Sequence, residues 1–167
     1  MIIIKNSILP LPGFGLMNIL GLVFSRKPAS EVSARSKRHE QIHTMQQYEI
    51  LMVSAIASLI LCNIFASWWY LLGIVALPFA LYLLGFALEM AVPPYHNAKL
   101  IFEEADCACG KVARVARWAR KVWHDAYRDN CFEREAFAND DNPEYLATRH
   151  LFAWVRHIIP NKDRTNA

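Results

Sequence analysis

Apolar and polar positions divide this chain into three stretches of different character. The first begins apolar, at Ile2-Ile3-Ile4, and is broken early by Pro10, Pro12, Gly13 and Gly15. Apolar residues return from Leu16 to Ser25. The spacing predicts two short strands joined by a Pro/Gly turn region, with Leu20-Gly21-Leu22-Val23-Phe24 as an edge strand. No basic leader precedes the first apolar run, so it does not have the pattern of a signal peptide. From Arg26 to Lys37 the chain is polar and basic, with Pro28, Ser30 and Ser33 as loop or cap residues. A helix is expected to start near Ser33 or Ser36 and to run without a breaker up to Ile50.

The second stretch, Ile50 to Pro93, contains no Lys, Arg or Asp, and its single Glu, Glu89, lies near the far end. About 43 such residues leave room for two helices of about 20, the length that spans a bilayer core. A turn is expected between Cys62-Asn63 and Ser67-Trp68. Trp68, Trp69 and Tyr70 suit a membrane interface, and Pro78 is better tolerated in a lipid-embedded helix than in a soluble one.

The third stretch is polar again. Lys111, Arg114, Arg117 and Arg120/Lys121 recur at helical spacing with Val112, Val115, Ala119 and Val122 on other faces. This predicts a basic amphipathic helix that lies against anionic headgroups, aided by Trp118 and Trp123. A shorter helix is expected around Asn130 to Asn139. Another is expected from Pro143 to about Ile159, capped by Asn142, with Leu146, Phe152, Trp154, Val155 and Ile158 packing inward. Residues from Asn161 onward read as a frayed tail.

Composition agrees with this division. A hydrophobic fraction of 54% is high for a soluble domain, and a net charge of +3 is too small to point to nucleic acid. Basic residues flank the apolar stretch on both sides and its central turn has none, so the positive-inside rule places both ends in the cytoplasm. Cys62, Cys107, Cys109 and Cys131 do not have zinc-ribbon spacing and read as free thiols in a reducing compartment. The expected architecture is mainly α with a small N-terminal β element and a two-helix transmembrane hairpin. Its parts are 1–49 (strands and first helix), 50–93 (hairpin) and 94–167 (cytoplasmic helices).

Candidate chemistry lies in His39-Glu40-Gln41-Ile42-His43, the pattern H-E-x-x-H. Residues four apart on a helix share a face, so His39 and His43 can offer two imidazole nitrogens to one Zn2+ ion. Glu40 lies one step round the helix, within reach of a water to be deprotonated. A third ligand is expected from Glu133 or Glu135. On a helical wheel Glu133 falls within the apolar face formed by Phe132, Ala136 and Phe137, where a carboxylate needs a partner such as a metal ion. Glu135 falls outside that face, beside Ala138 and Asn139, and stands as the alternative ligand. Asn130 with Glu133 also fits a capping-box arrangement that needs no metal.

With these residues the chain resembles the gluzincins, zinc metallopeptidases with two His ligands and one Glu ligand. It is most similar to small bacterial members in which H-E-x-x-H-x-x-Q-x-E leads into a hydrophobic hairpin. In those a phrase follows that is like Tyr127-Arg128-Asp129-Asn130-Cys131-Phe132-Glu133-Arg134-Glu135-Ala136 here. The resemblance implies a zincin-like fold and peptide-bond hydrolysis at the bacterial inner membrane. Zn2+ would be held by His39, His43 and Glu133, with Glu40 as general base. Many gluzincins carry an Asp four residues after the ligand Glu, orienting a histidine. Here that position is Phe137, or Asn139 if the count starts from Glu135. Oxyanion binding by Tyr145 or His150 is not singled out by any pattern. Two other readings stand beside this one: a non-catalytic membrane protein whose basic helices bind lipid or a partner, and a zinc-bound but latent enzyme.

Overall fold

The computed structural model describes residues 1–10, 15–91, 128 and 130–158. The basic helix expected near residues 111–122, the Cys107-x-Cys109 pair, Trp118, Trp123 and the tail from Asn161 lie outside the described residues. The described part is mainly helical, with a small N-terminal sheet and one long apolar helix.

The sheet has three strands, β1 (Ile2–Lys5), β2 (Leu16–Ile19) and β3 (Leu22–Ser25), in the order β1-β3-β2. The expectation of an edge strand over Leu20–Phe24 is corrected. β3 is central, parallel to β1 and antiparallel to β2, and its Val23 is fully buried. The expected strand divides because Leu20 and Gly21 both have positive φ, 50° and 87°, forming a two-residue hairpin turn of the kind whose twist matches the flanking strands. Leucine is a poor residue for that conformation, and neighbours hold it there. Leu20 N–H donates to Gln47 Oε1, and Tyr48 Oη–H donates to Leu20 O at 3.2 Å. Gly21 N–H donates to Asn18 Oδ1 at 3.0 Å.

Helix α1 runs unbroken from Ala34 to Phe65, with Ser33 as its N-cap. The Ser33 Oγ accepts from Ser36 N–H at 3.0 Å. Both halves of the helix bury mainly polar side chains, and the second exposes an apolar face. Up to residue 49 the inward residues are Glu40, Ile42, Thr44, Gln46 and Glu49. Beyond Ile50, Met52, Val53, Ile56, Leu59, Ile60 and Ile64 face outward, while Ser54 and Ser58 are buried. By length and composition, this is a helix that can cross a membrane.

The chain turns at Ala66 (φ 49°) and Ser67, within the expected window, then forms a 3-10 turn over Trp68–Leu72 and helix α2, Gly73–Ala91, which contains Pro78. α2 packs on α1. The approach is close at one point, where a Cβ on Gly73 would lie 2.7 Å from Ser58 Oγ.

Helix α3, Cys131–Asn139, starts at Asn130, whose Oδ1 accepts from Phe132 N–H at 3.0 Å. It lies against α1. Phe132 and Ala136 are buried, and Trp154 meets the Phe132 ring at 4.9 Å. The expected helix from Pro143 to Ile159 is corrected. It is a single turn, α4 (Tyr145–Thr148), then an extended Arg149 and a 3-10 turn over Ala153–His157, entered through Phe152 at φ 56°. Asn142 is not the cap: the helix N-cap is Glu144, without a side-chain bond, and Asn142 Oδ1 accepts from Glu144 N–H at 3.0 Å in the turn before it. The break leaves Arg149 reaching two buried carboxylates, and the Phe152 N–H reaching one of them.

Candidate metal centre

Helical spacing puts His39 and His43 on one face of α1, and α3 brings Glu133 to that face from 94 residues away. His39 Nε2 lies 3.1 Å from His43 Nε2 and 3.2 Å from Glu133 Oε2. His43 Nε2 lies 3.3 Å from Glu133 Oε1. Two imidazole nitrogens that close need a proton or a cation between them, because their lone pairs repel. A tetrahedral ion bound at about 2.0–2.1 Å requires ligand atoms about 3.4 Å apart. The three separations, of which the two to Glu133 involve different carboxylate oxygens, are close to that value, and the three residues could hold a metal ion. Glu133 is 3% exposed, as a carboxylate serving a cation rather than solvent would be.

The outward nitrogen of each histidine is also engaged. His39 Nδ1 faces Asp140 Oδ2 at 3.4 Å, and Asp140 is held by Arg35 at 3.0 Å. His43 Nδ1 faces Gln46 Oε1 at 2.7 Å. The position four after Glu133 is Phe137, whose ring packs edge-on to His39 at 4.7 Å. Asp140 is seven residues after Glu133, nearly two full turns, and so returns to the same side of α3. Asn139, the other candidate for an orienting role, donates to Glu135 O within its own helix.

Glu40 is buried. Its backbone carbonyl accepts from Thr44 Oγ1–H at 2.9 Å and from Asn18 Nδ2–H, which joins β2 to α1. Burial pushes its carboxyl above the usual carboxylate range, against the pull of His43 and His39, while the charge of Glu133 adds to the rise. Burial alone would lower His43. The hydrogen bond and charge of Glu133, the charge of Glu40 and the bond to Gln46 outweigh it and raise the imidazole to about 9.

The second glutamate has a different role. Glu135 was expected outside the buried face, yet it is fully buried. Arg149 compensates it, with Nε donating to Oε1 at 2.5 Å and Nη2 to Oε2 at 3.2 Å, and Tyr145 Oη–H adds a bond at 2.9 Å. Arg149 also pairs with Glu49, which accepts from Phe152 N–H at 3.0 Å and Trp154 Nε1–H at 3.1 Å. Two carboxylates thus share one guanidinium, and neutral donors satisfy their remaining lone pairs. Tyr145 is occupied by Glu135, and His150 is an exposed residue. Sequence reasoning gave no role to Glu49, Asp140 or Arg149, and met Gln46 only as the Gln that follows the H-E-x-x-H pattern. That Gln and the seven-residue spacing of Asp140 from Glu133 are the readable signals.

No family model, curated protein or solved structure matches the chain.

Proposed function

We propose that the protein is a membrane-associated zinc metallopeptidase of the gluzincin type. The observation that carries this reading is the triangle of His39 Nε2, His43 Nε2 and the Glu133 carboxylate, with edges of 3.1 to 3.3 Å. When bound, zinc supplies Lewis acidity, polarising a peptide carbonyl and acidifying water. Glu40, with its carboxyl pushed upward by burial, takes a proton from the attacking water and returns it to the leaving amine. β2, an edge strand packed beside α1, is the strand to which an extended peptide would add.

The outward apolar face of α1 beyond Ile50 supports a membrane-spanning role. Small residues where α1 meets α2 (Ser58 and Gly73) support a transmembrane hairpin, since close helix contact in lipid depends on them. His43 precedes Ile50 by seven residues, about 10 Å of helix, so the metal site stands just off the cytoplasmic surface in this reading.

Elemental analysis of detergent-purified protein tests the proposal. About one zinc per chain, lost in His43→Ala and in Glu133→Ala, supports it. Absence of zinc after reconstitution would favour a non-catalytic membrane protein instead.

A further inference from the structure

We infer that Gln46 is a positioning residue for the metal centre, fixing His43 as the Nδ1–H tautomer so that Nε2 is left to bind the ion. The inference rests on the zinc reading above. His43 has two ring nitrogens, and which one carries the proton is set by what the other end of the ring meets. At Nδ1 it meets the Gln46 side-chain amide, 2.7 Å away. An amide can present either its oxygen or its nitrogen. Here the surroundings decide. The other end of the same amide lies 3.0 Å from Phe132 O, a backbone carbonyl that can only accept. It also lies 2.9 Å from Glu135 Oε2, whose carboxylate is bound by Arg149. Both contacts require the amide nitrogen on that side. The oxygen must therefore face His43, and an amide oxygen accepts a hydrogen bond only from a protonated Nδ1.

Gln46 is 2% exposed, so water does not compete for either end of the amide. Orientation of His43 therefore starts at α3, in the Phe132 carbonyl and Glu135, and passes through one α1 side chain. The two histidines are held by different chemistry: His39 by the Asp140 carboxylate, His43 by a neutral amide. A partner of this kind is worth about 10–100-fold in metal affinity.

The test uses the full chain in detergent, loaded with zinc and carrying isotope-labelled histidine. Side-chain proton–nitrogen correlation spectra distinguish the tautomers. The expected result is a His43 that ligates through Nε2 and bears a slowly exchanging proton on Nδ1. In Gln46→Met, zinc affinity measured by chelator competition falls about 10–100-fold, and any remaining Nδ1 proton exchanges quickly. Ligation of wild-type His43 through Nδ1, or undiminished affinity in Gln46→Met, overturns the inference and leaves the zinc reading standing. A wild-type chain that takes up no zinc overturns both. If Gln46→Met does not fold, the wild-type spectrum decides alone.

Discussion

Glu133 and Glu135 stand two residues apart on one helix, both buried, and face different partners: Glu133 the two histidines, Glu135 the Arg149 guanidinium. Two consequences separate them. Glu133→Gln is expected to lose zinc and stay folded. Glu135→Gln is expected to bind one zinc when saturated but to unfold more easily, by about 3–5 kcal/mol, because it leaves a buried cation short of a partner. Metal content and denaturant unfolding, measured on the same two proteins, check both halves.

Glu40→Gln removes the proton acceptor and none of the three candidate ligands. Peptidase turnover is expected to drop about 10²–10⁴-fold with zinc content unchanged. Retained turnover on any peptide the wild type cleaves would remove Glu40 from the mechanism.

With His43 raised to about 9, the metal-free protein carries this proton throughout neutral pH, and zinc has to displace it. Apparent zinc affinity is expected to rise about tenfold per pH unit up to about 9 and then level off. Calorimetry in buffers of different ionisation enthalpy should report about one proton released per zinc at pH 7.5. Stability of the metal-free fold follows the same group. Its folded value lies above the unfolded 6.5, so the contribution is complete below about 6.5 and disappears as pH rises through 9.

Arg149→Lys keeps the charge but cannot fork between Glu49 and Glu135. A loss of about 2–4 kcal/mol is expected in denaturant unfolding. An unchanged midpoint would mean the guanidinium geometry is unimportant.

Gly73→Ala places a methyl 2.7 Å from Ser58 Oγ, whereas Ser58 Cβ would be at 3.8 Å, an ordinary contact. The single change should cost about 1 kcal/mol, and adding Ser58→Ala should restore most of it. A double-mutant cycle in detergent measures the coupling, and simple additivity of the two changes would contradict this packing.

The H-E-x-x-H face was legible because a four-residue period is a local property of one helix. Ser33 as the cap and the unbroken passage into the apolar stretch were legible for the same reason. Glu133 was found by its place in an apolar face. The same wheel misjudged Glu135, because a wheel counts neighbours on one helix and Arg149 arrives from another segment. The hairpin turn at Leu20-Gly21 lacks the usual Asn-Gly signal, and contacts from Gln47 and Tyr48 replace it. Helix propensity from Pro143 onward is overridden because Arg149 and the Phe152 amide are drawn to buried carboxylates.

The long reach between His39 and Glu133 also governs when the centre can come into being. A nascent chain that has emerged only as far as Ala91 has both histidines and the whole apolar stretch, yet lacks the third ligand, Asp140 and the Arg149 clamp. In the proposed reading, an ion held by all three residues can therefore be captured only after Glu133 has emerged, late in synthesis. A chain made only as far as Ala91 offers the two histidines alone.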